Sequence, residues 1–300
     1  MKQRILGLLA GFVIASISYA QQLPISSFYD MHGVMHNPAT AGVSKNASVG
    51  ATFRKQWSGI DGGPQTTMVY ANTHLQDGKT GLGGYLFNDV TGPLRNTGLQ
   101  LAYSYIIPLK GNSSFSLGIE GRAQQFSYDR QKLAASLGAA DPAITGKEKR
   151  IKGDAGFGIA YTTSKLQVGA SVSQLVQSKL NLYEGSGNTT GEAQFYRHFY
   201  LHGKYDLKID DYTHMYPNFL LVYVPNAPTE FQGGVRVEHN DVFWYGLSLR
   251  AHQSWMFSAG FKIKEKLNIG YSFDVYRTPI SLFDNGSNAH EVMLRYAFMK

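Results

Sequence analysis

The sequence predicts an all-β fold, a transmembrane β-barrel of about 14 antiparallel strands with both termini in the periplasm. Apolar side chains alternate with polar or small ones over runs of about ten residues, as in the segment KLNIGYSFDVY. The 300-residue chain is 13% aromatic but only 16% charged, whereas soluble domains usually contain roughly 25% charged residues. The connections between the alternating segments also tend to be long and short in turn. Outer-membrane barrels combine these three features.

The N-terminus has the features of a secretory signal peptide. Lys2 and Arg4 precede a short apolar run, and a small-x-small triplet ends at Ala20. The apolar run is shorter than the roughly 20 residues of a membrane-spanning helix. We therefore expect residues 1–20 to form a signal peptide that is cleaved near Ala20. The absence of cysteine excludes a lipoprotein and a disulfide-stapled secreted domain.

The alternating segments divide the rest of the chain. They span residues 46–57, 64–74, 80–89, 97–109, 113–127, 153–163, 165–174, 196–208, 216–225, 229–240, 242–252, 254–264, 266–276 and 290–299. We expect the barrel to occupy residues 46–300. Residues 21–45 then form an N-terminal segment that lies either in the periplasm or in the barrel lumen.

The connections between these segments predict the orientation of the barrel. Even-numbered connections, such as TTSK and HND, are short. Several odd-numbered ones are long, including NDVTGPLRN and the 128–152 and 175–195 segments. Long connections are extracellular in outer-membrane barrels, which favours periplasmic termini. A soluble β-sandwich is the alternative, but its strands are usually only about five or six residues long.

The same alternation predicts which polar side chains face the lumen. Arg54 and Gln56 point inward if Phe53 faces lipid. Seven further ionisable residues are predicted to face the lumen: Glu120, Arg122, Arg236, Glu238, Arg250, Asp274 and Arg295. Because their charges have mixed signs, they do not form a single-charge selectivity ring. We expect a packed or plugged lumen.

Strand parity and glycine spacing lead to further expectations. Trp57 is expected on the lipid side in an interfacial aromatic girdle, whereas Trp244 is expected to point inward. The glycine-rich stretches GLGGYLFND and GDAGFGIAY have spacings like those of nucleotide-binding loops, but no helix follows them. We expect these glycines to relieve crowding on curved barrel strands.

The sequence lacks the pattern of a catalytic or metal site. No serine lies in a G-x-S-x-G motif, and the nine histidines are scattered. His198 and His202 are too far apart on one strand to chelate a metal simply. We therefore expect no catalytic residue, metal or cofactor. Dispersed cations and the export signal argue against nucleic acid as a partner, despite a formal charge of +7.

A series of short motifs resembles the PorP/SprF family of outer-membrane proteins. The first are NPATAG, which includes Asn37, Pro38 and Gly42, then RKQWSGIDGGPQT and GLGGYLFNDVTGP. YPNFLLVYVP, FWYGLSLR, LNIGYSFDVY and NAHEVMLRYAF follow in the second half. The resemblance covers nearly the whole mature chain in order. It marks eight residues as family-motif positions and candidate partner contacts: Asn37, Pro38, Gly42, Arg54, Gln56, Trp57, Pro64 and Asp89.

The resemblance implies a role in the type IX secretion and gliding machinery, in the cell outer membrane. It implies three kinds of partner: outer-membrane lipid, the C-terminal domain of a secreted protein or adhesin, and periplasmic secretion components. We expect a non-enzymatic barrel that docks a secreted protein at the cell surface. A passive porin or small-solute channel is the alternative.

Overall fold

The computed structural model describes residues 25–44, 46–136, 138, 146–181, 192–277 and 280–298. The signal peptide expected in residues 1–20 lies outside the described residues, as do parts of the 128–152 and 175–195 segments. Within the described ranges, no helix is both long and apolar enough to cross a membrane.

The dominant element is one antiparallel sheet that closes on itself as a barrel of 14 strands, as predicted. In chain order, the strands are β1 (Ala47–Lys55), β2 (Gln65–His74), β3 (Thr80–Thr91), β4 (Leu94–Pro108), β5 (Ser114–Asp129), β6 (Lys147–Thr162), β7 (Leu166–Ser173), β8 (Lys179–Asn181), β9 (Glu192–Gln194), β10 (His198–Tyr205), β11 (Leu207–Lys208), β12 (Thr213–Tyr223), β13 (Glu230–His239), β14 (Phe243–Arg250), β15 (Ser254–Ile263), β16 (Leu267–Tyr276) and β17 (Ala289–Phe298). The short strands β8 and β9 pair with each other, and β11 pairs with β12. Two short helices, α1 (Arg130–Ser136) and α2 (Ile280–Phe283), lie in connections.

The barrel closes where the first strand pairs with the last and where β10 pairs with both of its neighbours. The first strand, β1, pairs with the last, β17, which places Arg54 opposite Glu291. Strand β10 pairs with both β7 and β12, across the long connection and the β11 turn. Closure gives each barrel strand a paired neighbour on both sides, as a barrel in lipid requires. At the loop-side end of β6, residues 147–156 extend past β7 and pair with β5.

The two ends of the barrel differ in the length of their connections. The end that holds Ala47 and Phe298, here called the terminus end, has short turns such as 163–165 and 264–266. The opposite end, here called the loop end, has long connections over 56–64, 130–146, 174–197 and 277–288. This asymmetry follows the predicted alternation; the assignment of the terminus end to the periplasm stays a prediction.

One predicted long loop is wrong. The stretch NDVTGPLRN, expected as an external loop, is mostly strand, because β3 and β4 remain paired up to Thr91 and Leu94. The turn consists of Gly92 and Pro93 only, and Gly92 has a φ of +55°. Glycine adopts this left-handed conformation without steric cost, which permits the tight turn.

The two faces of the barrel wall have opposite chemistry. Along β4, Leu99, Leu101 and Tyr103 are exposed on the outer face, whereas the alternate residues Gln100 and Ser104 are fully buried on the inner face. Such alternation gives an apolar outer surface for lipid and a polar interior.

Residues 25–44, here called the lumen segment, fill the barrel interior. The segment contains two single-turn 3₁₀-helices, Gly33–Met35 and Pro38–Thr40. Phe28, Asn37 and Ala39 are almost completely buried against the strands. The core of the protein therefore lies between this segment and the inner face of the barrel.

Candidate functional site

The first part of the lumen segment is held by a buried network of two serines and three charged side chains. We call this network the charged anchor: Ser26, Ser27, Arg54, Asp274 and Glu291. Arg54 lies 2.7 Å from Asp274 and 3.2 Å from Glu291, and all three side chains are at most 2% exposed. Ser26 Oγ donates to Glu291 Oε1 at 2.6 Å, and the Ser27 amide donates to Glu291 Oε2 at 2.7 Å. Breaking a buried ion pair is costly because one charge is left uncompensated. The charged anchor thus joins the lumen segment to β1, β16 and β17.

A second arginine extends this network toward β13. Arg250 is fully buried, with Nη1 3.8 Å from Asp274 Oδ2 and Nε 3.4 Å from Glu230 Oε1. Asp274 therefore lies between Arg54 and Arg250, so that its charge is balanced from two sides.

The middle of the lumen segment contacts the second half of the barrel. Asp30 accepts a 2.8 Å bond from Arg236 Nε, and Arg236 also pairs with Glu238 at 3.0 Å. Phe28 packs edge-on against Trp244, with ring centroids 6.0 Å apart. The Trp244 indole N–H donates to Asn268. A buried tryptophan with a satisfied N–H contributes a large apolar surface without an unpaired donor.

The other half of the barrel contains a second polar cluster beneath the segment. Arg122 Nη2 donates to Glu120 Oε1 at 3.0 Å, and Ser173 Oγ donates to the same oxygen at 2.7 Å. Gln100 Nε2 donates to Glu120 Oε2 at 2.6 Å and lies 3.4 Å from the Val34 carbonyl. All seven ionisable residues predicted for the lumen lie on inward strand positions, Arg295 among them as a half-buried side chain.

The NPATAG motif forms the most tightly packed part of the lumen segment. Asn37 caps the second 3₁₀-helix, since its Oδ1 accepts from the Ala39 amide at 2.9 Å. Asn37 Nδ2 donates to the Ile159 carbonyl at 2.9 Å and lies 3.0 Å from His202 Nε2. The motif is therefore bonded to β6 and β10.

Glycines on the inner face of the wall make room for this motif. A Cβ at Gly118 would clash with the backbone of Ala39, and a Cβ at Gly158 would clash with Asn37 Oδ1. A Cβ at Gly81 would likewise clash with the Ala41 carbonyl. We call Gly81, Gly118 and Gly158 the glycine cradle. The glycines of GLGGYLFND and GDAGFGIAY were expected to relieve strand crowding. Gly81 and Gly158 belong to these stretches, and together with Gly118 they allow the lumen segment to approach the wall.

Gly42 ends the motif in a left-handed conformation, with a φ of +66°. Its amide donates to Asn72 Oδ1 at 2.6 Å, and its carbonyl lies 3.0 Å from His74 Nδ1. A side chain at Gly42 would also clash with Gly81. This turn directs the chain out of the lumen and toward β1.

Two histidines of the lumen segment are buried without charge. Burial lowers the pKa of His32 and of His36 to about 3. The His32 ring lies 4.6 Å from the Tyr70 ring, and Ser171 Oγ donates to the His36 carbonyl. Both rings are therefore neutral at physiological pH while the segment occupies the lumen.

Four of the predicted partner-contact residues lie inside the barrel. Asn37, Pro38, Gly42 and Arg54 are buried and packed or bonded within the lumen. A direct contact between these four and an outside partner is therefore excluded while the segment stays in place. They hold the lumen segment instead.

The other four predicted contact residues lie toward the loop end. The Gln56 amide donates to the Pro64 carbonyl at 2.8 Å, and Asp89 accepts from Thr66 Oγ1 at 2.6 Å. Trp57 follows the end of β1, has a φ of +51° and is half-buried. The parity argument that placed Trp57 on the lipid side therefore does not apply, because this residue is outside the strand.

The first and last loops pack together at the loop end, and we call residues 56–64 and 280–288 the loop platform. The Gly59 amide donates to Asp284 Oδ1 at 2.7 Å, and Ser58 Oγ donates to the Ser287 carbonyl at 2.7 Å. Leu282 and Phe283 protrude from it and are 70% and 71% exposed. An exposed apolar pair of this size on a structured surface is a candidate contact for a partner.

The sequence missed several residues of the site. Ser26, Ser27 and Asp30 carry no periodic signal because the lumen segment is irregular. Glu291 was also missed, but it could have been detected because it has the same strand parity as Arg295. The NPATAG motif was found, but its burial was not.

Comparison with known proteins places the chain in a family. The sequence matches the family model described as "Type IX secretion system membrane protein PorP/SprF" over residues 18–296. No curated protein matches the sequence.

Solved structures share the architecture at low identity. The toluene transporter TbuX of Ralstonia pickettii is 12% identical with a TM-score of 0.51; the match covers 88% of this chain and 92% of that one. A FadL homologue of Pseudomonas aeruginosa is 10% identical with a TM-score of 0.47, over 87% of this chain and 91% of that one. The likeness to TbuX concerns the fold alone. Because the family model covers nearly the whole chain, this outer-membrane β-barrel belongs to the PorP/SprF family of type IX secretion system membrane proteins.

Proposed function

We propose that this protein is a non-enzymatic docking barrel of the type IX secretion system. Its loop end holds the C-terminal domain of a secreted protein or adhesin at the cell surface, and its terminus end contacts periplasmic secretion components. Family membership supports the link to secretion components and cargo. The finer assignment of cargo to the loop end depends on the lumen segment and the loop platform.

The filled lumen is the observation that carries the proposal. The lumen segment contacts the inner faces of both halves of the barrel through the charged anchor and the NPATAG motif. One cavity beside the segment, next to Tyr29 and Lys204, measures about 20 Å³. That volume holds about one water molecule. A barrel filled in this way is suited to binding at its ends rather than to continuous flow through its centre.

The loop platform supplies a surface for cargo. Leu282 and Phe283 present apolar area, while bonds from Ser58 and Gly59 to the last loop hold the platform in one shape. Ordered surfaces lose less entropy on binding than mobile ones. An apolar contact on a rigid support fits the docking of a folded cargo domain.

Deletion of the gene, followed by complementation, tests the docking role. We expect the cargo to appear in the medium or to stay undelivered without the barrel, and to return to the cell surface with it. Cargo location that is unchanged by the deletion would refute the proposal.

Surface variants locate the contact. We expect Leu282→Ser combined with Phe283→Ser to release cargo several-fold while the amount of folded barrel in the outer membrane stays constant. Val176→Ser is the matched control, because Val176 is a similarly exposed aliphatic residue in another loop-end connection. Equal cargo release in the double variant and the control would remove the loop platform from the proposal.

The alternative, a passive porin or small-solute channel, predicts a different electrical behaviour. Planar-bilayer recordings on the full-length mature protein should show little conductance if the lumen segment stays in place. Steady, large, ion-permeable conductance would favour the channel over the docking barrel.

A further inference from the structure

A cleft of about 250 Å³ lies on the outer surface of the barrel near the loop end. It forms where β4, β5 and β6 continue beyond their neighbours toward the loop end, next to helix α1. Four cations line it, Arg95, Lys132, Lys147 and Lys149, and the one carboxylate among its lining residues is Asp129. We call this feature the basic cleft.

Among the residues that the structure describes, no carboxylate lies within 4.0 Å of any of the four side-chain nitrogens. The opposite face of β6 differs, because Glu148 there pairs with both Arg130 and Arg150. Clustered cations that outnumber acids produce a positive potential that attracts anions.

Strand parity places these cations on the outer face of the barrel wall. Arg95 on β4 has the same outward parity as Leu99 and Leu101, which are exposed. Each step of two residues advances about 6.8 Å along a strand. Arg95 therefore stands roughly 13 Å from Leu99 along the strand, beyond the apolar part of the wall.

Strand β6 repeats this arrangement. Lys147 and Lys149 share their outward parity with Ile151, Phe157 and Ile159. Ile151 is 69% exposed and directly follows the basic residues on the outer face. On both strands, the outward face changes from apolar side chains to cations toward the loop end, with Thr97 between Leu99 and Arg95 on β4.

A continuous surface of this kind matches a membrane lipid in its two chemical parts. Apolar side chains face the acyl chains, and cations at the edge of the apolar band lie at the depth of the headgroups. Thr97, Gln125 and Ser127 also line the basic cleft and supply neutral hydrogen-bonding groups. Lysine and arginine are the common partners of phosphate oxygens.

We propose that the basic cleft binds the phosphorylated headgroup of a lipid in the membrane leaflet at the loop end. The phosphate lies between Arg95, Lys132, Lys147 and Lys149, and the acyl chains run along the apolar outer faces of β4 and β6. This site is separate from the lumen segment and from the loop platform. A free phosphate has the same anionic chemistry but gains nothing from the apolar wall.

Native mass spectrometry of the full-length mature protein tests the site. The probes are bis-phosphorylated lipid A and an uncharged glycolipid without phosphate. We expect lipid A to remain bound after detergent removal in the gas phase and the uncharged probe to dissociate. Lys147→Gln with Lys149→Gln should weaken lipid A binding about tenfold or more. Lys110→Gln with Lys165→Gln removes two exposed lysines at the terminus end and should change binding less than about twofold.

Two further experiments distinguish binding of a lipid headgroup from binding of a free anion and test the other side of the basic cleft. Inorganic phosphate at the same concentration should not displace lipid A, and displacement would show a free-anion site instead. Arg95→Gln with Lys132→Gln tests the opposite side of the basic cleft and should have a similar effect. If both cleft variants bind lipid A as well as the control does, the proposal is wrong. Heat-modifiable electrophoretic mobility confirms that each variant is a folded barrel.

Discussion

The lumen segment is held at its two ends by different kinds of interaction. The charged anchor joins Ser26 and Ser27 to three ionised side chains, with bonds as short as 2.6 Å. The glycine cradle has no charge and holds the NPATAG motif by close approach of the Ala39 and Ala41 backbone and the Asn37 side chain to the wall. The charged anchor is therefore sensitive to the loss of one partner, whereas the glycine cradle is sensitive to the gain of a single carbon atom.

The largest expected effect comes from breaking the charged anchor. Arg54→Met leaves Asp274 and Glu291 buried with less compensation, so we expect a loss of about 3–5 kcal/mol in the free energy of unfolding. The urea midpoint, followed by heat-modifiable mobility, measures this loss. Arg277→Met is the control, since Arg277 is exposed at the loop end.

A rescue variant sharpens this test. Arg54→Met combined with Asp274→Asn and Glu291→Gln removes the uncompensated charges and should recover a substantial part of the lost stability. A triple variant less stable than Arg54→Met would contradict an electrostatic role for the charged anchor.

The second-largest effect is expected from low pH, which should weaken the binding of the lumen segment inside the barrel. The pKa values of His32 and His36 are lowered from 6.5 to about 3, so only the displaced state takes up protons as pH falls below 6.5. The free energy that keeps the lumen segment in the barrel is unaffected by these rings above pH 6.5. Below pH 6.5 it declines by about 1.4 kcal/mol per pH unit for each ring, until about pH 3. Protease cleavage within residues 25–44 should therefore be faster at pH 5 than at pH 8. His32→Phe with His36→Phe should reduce this pH dependence, and an unchanged dependence would exclude these two rings as its cause.

The glycine cradle should respond to added volume. Gly118→Val drives side-chain atoms into the backbone of Ala39, and overpacking of this kind costs about 1–3 kcal/mol. Gly121→Val is the matched control on the same strand, because a Cβ at Gly121 meets nothing within 4 Å. Planar-bilayer conductance should rise for Gly118→Val alone. Equal conductance in the two variants would show that the cradle does not hold the motif.

The smallest effect is expected at the cap of the NPATAG motif. Asn37→Ala removes the 2.9 Å bond to the Ala39 amide and the bond to the Ile159 carbonyl. The loss of a capping side chain costs about 1 kcal/mol. Protease cleavage of the lumen segment should accelerate modestly, and less than in Gly118→Val. An effect larger than that of Arg54→Met would reverse the order of the two holding mechanisms.

The barrel strands could be predicted because lipid imposes a strict rule on their sequence. Outer positions such as Leu99 and Leu101 must be apolar while the polar Gln100 between them faces inward, and this alternation is visible locally. The rule applies only where lipid contacts the wall. Beyond that band, Asp89 and Asn96 pair in β3 and β4 although their polarity resembles that of a loop. For this reason the turn at Gly92 was wrongly predicted as a long loop.

The path of the lumen segment could not be predicted in the same way. Its anchors join residues that are far apart in sequence, such as Ser26 with Glu291. The glycines of the cradle show in sequence only that a side chain is missing, and not what occupies the space. Mixed charges indicated a packed or plugged lumen, but the residues that fill it depend on contacts that form only when the barrel closes.

The pairing of Arg54 with Glu291 has a consequence for biogenesis. The two residues face each other across the joint between the first and last strands. Because side chains alternate between faces, a slip of one residue in this joint would turn Glu291 toward lipid and leave Arg54 without one of its two carboxylates. The buried ion pair therefore distinguishes correct from shifted closure during assembly in the membrane, in addition to holding the finished protein together.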